Sequence, residues 1–192
     1  MGQYYNSVLK DKNGVITMFY NYGLKLMEHS YFNNPYVCAV CEILTEEPHH
    51  VAWVGDYADD DSDMTHERLH NNNKAHQLDD ETGFSPLRMV LVNHTKKKVL
   101  WLCDYYNKAL YKAFEKGEKD VWVIHPLPLL TCKGNGRGGG DYRGINQKCV
   151  GIWAEDLLEL IPATQFEYNY QTKEMVHKDL PDYKEVMFEF EE

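Results

Sequence analysis

The sequence predicts an α+β fold, a mainly antiparallel sheet with a few short helices, organised as a single domain over residues 1–192. Two hairpin signals, a pair of short runs with helical spacing, and late stretches of alternating apolar and charged residues carry that expectation. "YYNSVLKDKNGVITMFYNYG" places two β-rich runs around Asp11-Lys12-Asn13-Gly14, and Asn-Gly is the strongest short-range turn signal. "GLKLMEHSY" and "PYVCAVCEILTEE" read as short helices. In the second, Val37, Val40, Cys41 and Leu44 recur at helical spacing, and Pro35 suits a first turn. "HHVAWVGDY" is a short apolar strand, and the polar segment from Ala58 to Pro86 is a loop with room for one helix around Thr65 to Gln77.

The second half follows the same logic. "RMVLVNHTKKKVLWLCDYY" is a second hairpin turning near His94 to Lys97. "DYYNKALYKAFEKG" has helical spacing through Tyr106, Leu110 and Phe114, with Gly117 as its stop. The prolines of "DVWVIHPL" and "LPLLTCK" suggest extended, edge or irregular backbone. "CVGIWAEDLLELIP" is expected to begin as a strand, and "QFEYNYQTKE" and "EVMFEFEE" are late strands.

A chain of 192 residues that is 43% hydrophobic and holds fourteen Tyr can bury a core without disulfide or metal staples. No run of eighteen apolar residues and no signal-peptide pattern is present, so a cytoplasmic protein without a membrane partner is expected. Cys38, Cys41, Cys103, Cys132 and Cys149 are odd in number and read as reduced thiols, with Cys38 and Cys41 on a buried helix face.

"HERLHNNNKAH" (66–76) matches the metzincin zinc spacing except that Asn73 stands where glycine belongs. His66 and His70 would share one side of a helix, His76 would return from a turn, and Glu67 would act as base on a zinc-bound water. The surroundings oppose this. The run-in is "DYADDDSDMT", Leu69 is the lone leucine between polar neighbours, and "NNNK" is poor helix material. A zinc hydrolase is therefore the alternative, and the preferred reading has no catalytic residue and no cofactor.

"GNGRGGGDYRG" (134–144) contains G-x-G-x-x-G at Gly134, Gly136 and Gly139, yet no convincing helix start follows, so a dinucleotide site is not expected. Six glycines in eleven residues suggest a mobile loop presenting Arg137, Tyr142 and Arg143, residue types suited to phosphates, bases or a protein hot spot. A Cys-His pair of His125 with Cys103 or Cys132 would need folding to assemble, and these are read as core residues.

Charge is distributed in blocks. Residues 26–67 contain no Lys or Arg and carry −10, equal to the charge of the whole chain. Residues 88–148 carry +7 and residues 149–192 carry −8. Such segregation favours steering toward a charged partner, and the acidic blocks would repel nucleic acid and attract basic protein surfaces.

The opening "MGQYY", the stretch "VAWVGDYADDD", and "VNHTKK" followed by "HPLPLLTCKGNGRGGGDYRG" together resemble a family of small uncharacterised proteins of Firmicutes and their phages. The resemblance covers about two thirds of the chain in patches and associates it with inhibitors of type II CRISPR effectors. It implies a non-enzymatic anti-CRISPR-type protein in the bacterial host cytoplasm, bound to a Cas9-type nuclease or its nucleic-acid complex. Such a nuclease holds nucleic acid in a basic channel. Asp56, Asp59, Asp60, Asp61 and Asp63 would occupy that channel, with Arg137, Tyr142 and Arg143 as further contacts, and the basic middle segment is a candidate for touching guide RNA or DNA.

Zinc content separates the two readings. Dialysed, untagged protein is expected to hold no zinc by elemental analysis. About one zinc per chain, lost in both His66→Ala and His70→Ala, would make the motif a metal site and favour hydrolysis.

Overall fold

The computed structural model of the chain describes residues 1–21, 23–65, 69, 75–77, 83–171 and 174–191, with 75–77 described for backbone alone. The Asn-Gly hairpin forms as expected. β1 (Tyr5–Lys10) and β2 (Ile16–Tyr20) pair antiparallel, with Ser7 opposite Phe19. Asp11 Oδ1 accepts from the amides of Asn13 (2.9 Å) and Val15 (2.8 Å), and Gly14 takes φ +79°, a conformation that costs glycine little. β3 (His49–Gly55) pairs antiparallel with the other edge of β1. Between them in sequence lie α1 (Leu26–His29) and α2 (Pro35–Glu46). α2 starts on Pro35, with the Asn34 side chain accepting from Val37 N at 3.2 Å.

β4 (Ala75–Gln77) pairs parallel with β2. These residues are therefore strand rather than the end of the helix expected over 65–77, most of which lies outside the described residues. The second hairpin joins β5 (Met89–Asn93) to β6 (Lys98–Trp101). α3 (Leu102–Glu115) follows and ends before Gly117 at φ +77°. Its buried side is Leu102, Tyr105 and Ala113, whereas Phe114 is 80% exposed. Of the expected stripe, Tyr106 and Leu110 are half-buried against the main core, and Phe114 alone turns to solvent.

Three further expectations are corrected. Pro126–Leu130 is not extended but a short helix, α4; its prolines occupy the first turn, where amides have no intrahelical acceptor, and His125 Nδ1 caps Leu127 N at 3.2 Å. β7 (Cys132–Lys133) then pairs parallel with β3. The segment after Lys148 does not begin as a strand, since Gly151 (φ +79°) and Glu155 (φ +64°) interrupt extended backbone. The strand there is β8 (Leu157–Pro162). β9 (Glu167–Asn169) and β10 (Glu174–Val176) form a separate ribbon. At the C-terminus only β11 (Lys184–Glu185) joins the sheet, parallel to β6.

β8 makes one sheet of the two hairpins by pairing antiparallel with β5 and with the start of β3. The strand order is β11-β6-β5-β8-β3-β1-β2-β4, with β7 beside β3. Period-two alternation splits its apolar residues between two faces. Leu9, Val51, Trp53, Leu91, Leu100 and Leu158 pack in the main core with α2, α3 and α4. On the other face, Val8, Met18, Ala52 and Val54 meet Met64 and Leu69, while Val90, Val92 and Ile161 meet Phe166. No helix among the described residues is long and apolar enough to cross a membrane.

Two histidines sit in the core as neutral rings. His29 accepts from Trp53 Nε1 at 2.6 Å and donates from Nδ1 to the Lys25 carbonyl at 2.7 Å. Burial lowers the pKa of His29 to about 4 and of His125 to about 3, from an ordinary 6.5. Below pH 6.5 the unfolded chain binds protons that the folded chain refuses. The stability these rings contribute is thus complete above 6.5, falls between 6.5 and about 3, and changes no further below that. The unfolding free energy should therefore drop across this window by an amount on the order of a few kcal/mol per ring. His125→Gln should flatten the slope, whatever its effect on absolute stability, and an unchanged slope would remove the assignment.

Candidate functional site

The chain's N-terminus and the glycine loop are built together. Gly2 bridges to Gly139, with Gln3 N donating to Gly139 O (3.2 Å) and Gly139 N to Met1 O (3.0 Å). Buried Asp141 closes the loop. One carboxylate oxygen accepts from Tyr5 OH (2.9 Å), and the other accepts from the amides of Gly136 (2.7 Å) and Gly138 (2.8 Å). Loop amides arranged in this way form an anion-binding concavity. Here the anion is the protein's own carboxylate, and no helix starts in the loop. The phosphate-binding geometry suggested by the glycine spacing is thus spent internally.

The glycines also make room for Gln3, which is fully buried. A Cβ on Gly134 would lie 2.6 Å from Gln3 Nε2, one on Gly138 would lie 2.7 Å from Gln3 N, and one on Gly55 would overlap the Gln3 amide. Gly134 (φ +99°) and Gly136 (φ +93°) additionally need left-handed backbone. Among the described residues, neither Nε2 nor Oε1 of Gln3 has a hydrogen-bond partner. "MGQYY", "VAWVGDYADDD" and "GNGRGGGDYRG" therefore converge at one end of the sheet.

The acidic run leaves β3 beside this knot. Asp56 Oδ1 accepts from Tyr4 N at 3.1 Å. Arg137 grips Asp59 with both guanidinium nitrogens, one at 2.7 Å, and donates to Tyr57 O at 2.9 Å. This pairing holds the Asp59 carboxyl below its usual range. Asp60 accepts from Thr65 Oγ1 at 2.5 Å, Asp61 pairs with Lys133 at 2.5 Å, and Asp63 pairs with Lys10 at 2.8 Å. Lys133 also binds Glu155 at 2.5 Å. The side chains remain open to solvent nevertheless: Asp59 is 67%, Asp61 63% and Asp63 53% exposed.

Of the other expected contacts, Tyr142 is not at the surface. It is 1% exposed, donates to Glu191 O at 2.9 Å, and meets Phe190 edge-on at 5.5 Å, so it anchors the C-terminal segment. Arg137 is an internal clamp as much as a surface cation, and the loop expected to be mobile is pinned by Asp141, Gln3 and Arg137. Arg143 is exposed. Nothing local marks Asp141 and Gln3 as the organisers of the loop, because "MGQYY" and "GGGDY" become partners only through the fold.

The cysteine–histidine contact that does form is Cys41 Sγ with His125 Nε2, at 3.7 Å and fully buried. Burial raises the thiol pKa and lowers that of the ring, so both stay neutral. Cys132 is pushed up to about 12 by burial, and Cys103 is exposed. The expected zinc residues His66, Glu67 and His70 lie outside the described residues, and His76 is described for backbone alone, in β4. Among the described residues, no group of three or more His, Cys, Asp or Glu is placed to hold a metal ion.

The Gln3 cradle gives opposed expectations. Gly138→Ala should destabilise the fold by about 1–3 kcal/mol through overpacking. Gln3→Met, of similar length and without an orphan amide, should raise the unfolding midpoint. A lower midpoint for Gln3→Met would show that the amide has a partner in solution. Neither a family model, nor a curated protein, nor a solved structure matches the chain.

Proposed function

We propose that this chain is a non-enzymatic binding protein that docks its acidic loop on a basic, nucleic-acid-binding surface of its partner. The observation that supports this best is the state of the loop. Asp59, Asp61 and Asp63 are each fixed by an internal cation yet remain more than half exposed. Carboxylates held in place before binding lose less freedom on binding, which favours affinity. Exposed ion pairs contribute only about 0–1 kcal/mol each, so the partner's lysines and arginines can share or replace Lys10, Lys133 and Arg137 at small cost. The resemblance to phage proteins associated with type II CRISPR inhibition supplies the partner class, a Cas9-type nuclease whose basic channel otherwise holds guide and target.

Titration of such a nuclease, with and without guide RNA, tests the reading. Affinity should fall steeply as salt rises, and nucleic acid should compete with the chain. Asp59→Asn/Asp60→Asn/Asp61→Asn should weaken binding by about tenfold or more, as expected for removal of charges from an electrostatic contact. Equal binding by that triple variant, with its fold intact by circular dichroism, would end the acidic-loop reading.

A further inference from the structure

We infer that the groove between α3 and residues 118–124 is a docking site for an arginine side chain carried by a protein partner. The inference rests on the binding-protein reading above only in taking the partner to be basic, and it uses none of the acidic-loop residues. The groove has a volume of about 320 Å³. Its floor is apolar, with Ala113, Val123 and Phe190 contributing. On one wall, Lys112 and Lys116 are already committed, pairing with Glu191 at 3.1 and 2.8 Å. On the other, Glu118 and Asp120 are exposed and form no close ion pair among the described residues, Glu118 acting on Lys116 only at longer range.

Trp122 completes the groove. It is 72% exposed, while Trp53 and Trp153 are 0% and 2% exposed. Its ring meets Tyr31 edge-on at 5.6 Å. A tryptophan held at a rim with most of its surface in water is an unusual use of the residue, and Trp is enriched among interface hot spots. What the groove leaves without a close ion pair is thus two carboxylates, and beside them stands one exposed indole. Those are the elements that recognise a guanidinium, by charge-assisted hydrogen bonds to carboxylate and by stacking on the aromatic face. An anionic ligand would meet Glu118, Asp120 and Glu191, so phosphate or nucleic acid is disfavoured. Lysine offers charge without the planar fork and should bind more weakly.

Acetyl-Arg-Arg-Arg-amide titrated into the ¹⁵N-labelled full chain at low salt tests this. The readout is the Trp122 indole N–H signal, identified by its loss in Trp122→Phe. That signal should shift saturably with the arginine peptide, roughly two- to fivefold more weakly with the lysine counterpart, and not at all with the glutamate one. Glu118→Gln and Asp120→Asn should each weaken the response by roughly two- to fivefold, as exposed charge pairs do. The Asp59→Asn/Asp60→Asn/Asp61→Asn variant should titrate normally, which separates this site from the acidic loop. A Trp122 signal that stays still, or that answers arginine and lysine equally, would overturn the proposal. So would loss of the response in the acidic-loop variant. A signal that moves on dilution without peptide, together with a doubled mass in solution, would assign the groove to a second copy of the chain instead.

Discussion

A buried carboxylate, satisfied by hydrogen bonds rather than by a cation, holds the distinctive end of this molecule together. Asp141 takes one hydroxyl and two loop amides, and among the described residues no lysine or arginine pairs with it. An ionised group out of water is tolerable only when its lone pairs are met, and charge-assisted bonds of 2.7–2.9 Å meet them. The consequences run outward. Tyr5 fixes the start of β1 to the loop, and the loop's backbone then receives Gly2 and Gln3 as an added strand-like contact. Arg137, carried by the same loop, reaches over to Asp59 and sets the acidic run in place. The position of the exposed Asp59 carboxylate thus depends on a buried one, while Asp61 and Asp63 are held from β7 and β1 by Lys133 and Lys10.

The charge blocks of the sequence are each other's complements in the fold. Arg137 and Lys133 of the basic block meet Asp59, Asp61 and Glu155. Lys96 meets Asp156, and Lys108, Lys112 and Lys116 form a ladder along α3 that meets Glu189 and Glu191. This ladder draws the Glu189 carboxyl down to about 2 and lays the C-terminal segment along α3, where Phe188 and Phe190 turn inward against Trp153 and Tyr142. Segregation along the chain can therefore mean long-range pairing within the fold as well as attraction to a charged partner. The two meanings cannot be told apart from composition, since a block of like charge has no internal information about which opposite block it will face.

Local chemistry explains what was legible. Both hairpins, the Asn34-Pro35 start of α2 and the Gly117 stop of α3 are dictated within a few residues, by turn conformation, capping and a missing amide hydrogen. The helix at "PLPLL" was hidden because its prolines, read as strand breakers, fall where a helix tolerates them. Tyr142 is hidden for a different reason: an aromatic beside arginine and glycine looks like a contact residue, and its partners Phe190 and Glu191 lie more than forty positions away. The glycine count by itself suggests freedom. In the fold, Gly134 is required by a left-handed turn, and Gly134 and Gly138 by the close passage of Gln3. That cause is non-local, because the residue needing space is more than a hundred positions earlier.

Internal and external electrostatics should respond differently to salt, and this follows from where the charges lie. The pairs Arg137–Asp59 and Lys10–Asp63 are largely exposed, so screening them removes little folding free energy. The elements beneath them are held by Asp141, by Gln3 packing and by the apolar core, none of which a Debye length of about 8 Å at physiological ionic strength weakens appreciably. A partner that sees the acidic loop from solvent has no such shelter, because its attraction is summed over the same exposed carboxylates across water. The architecture therefore separates the two quantities. It keeps the glycine loop's shape in a buried hydrogen-bond network and leaves the charge of the acidic run outside, where the proposed docking on a basic surface would use it.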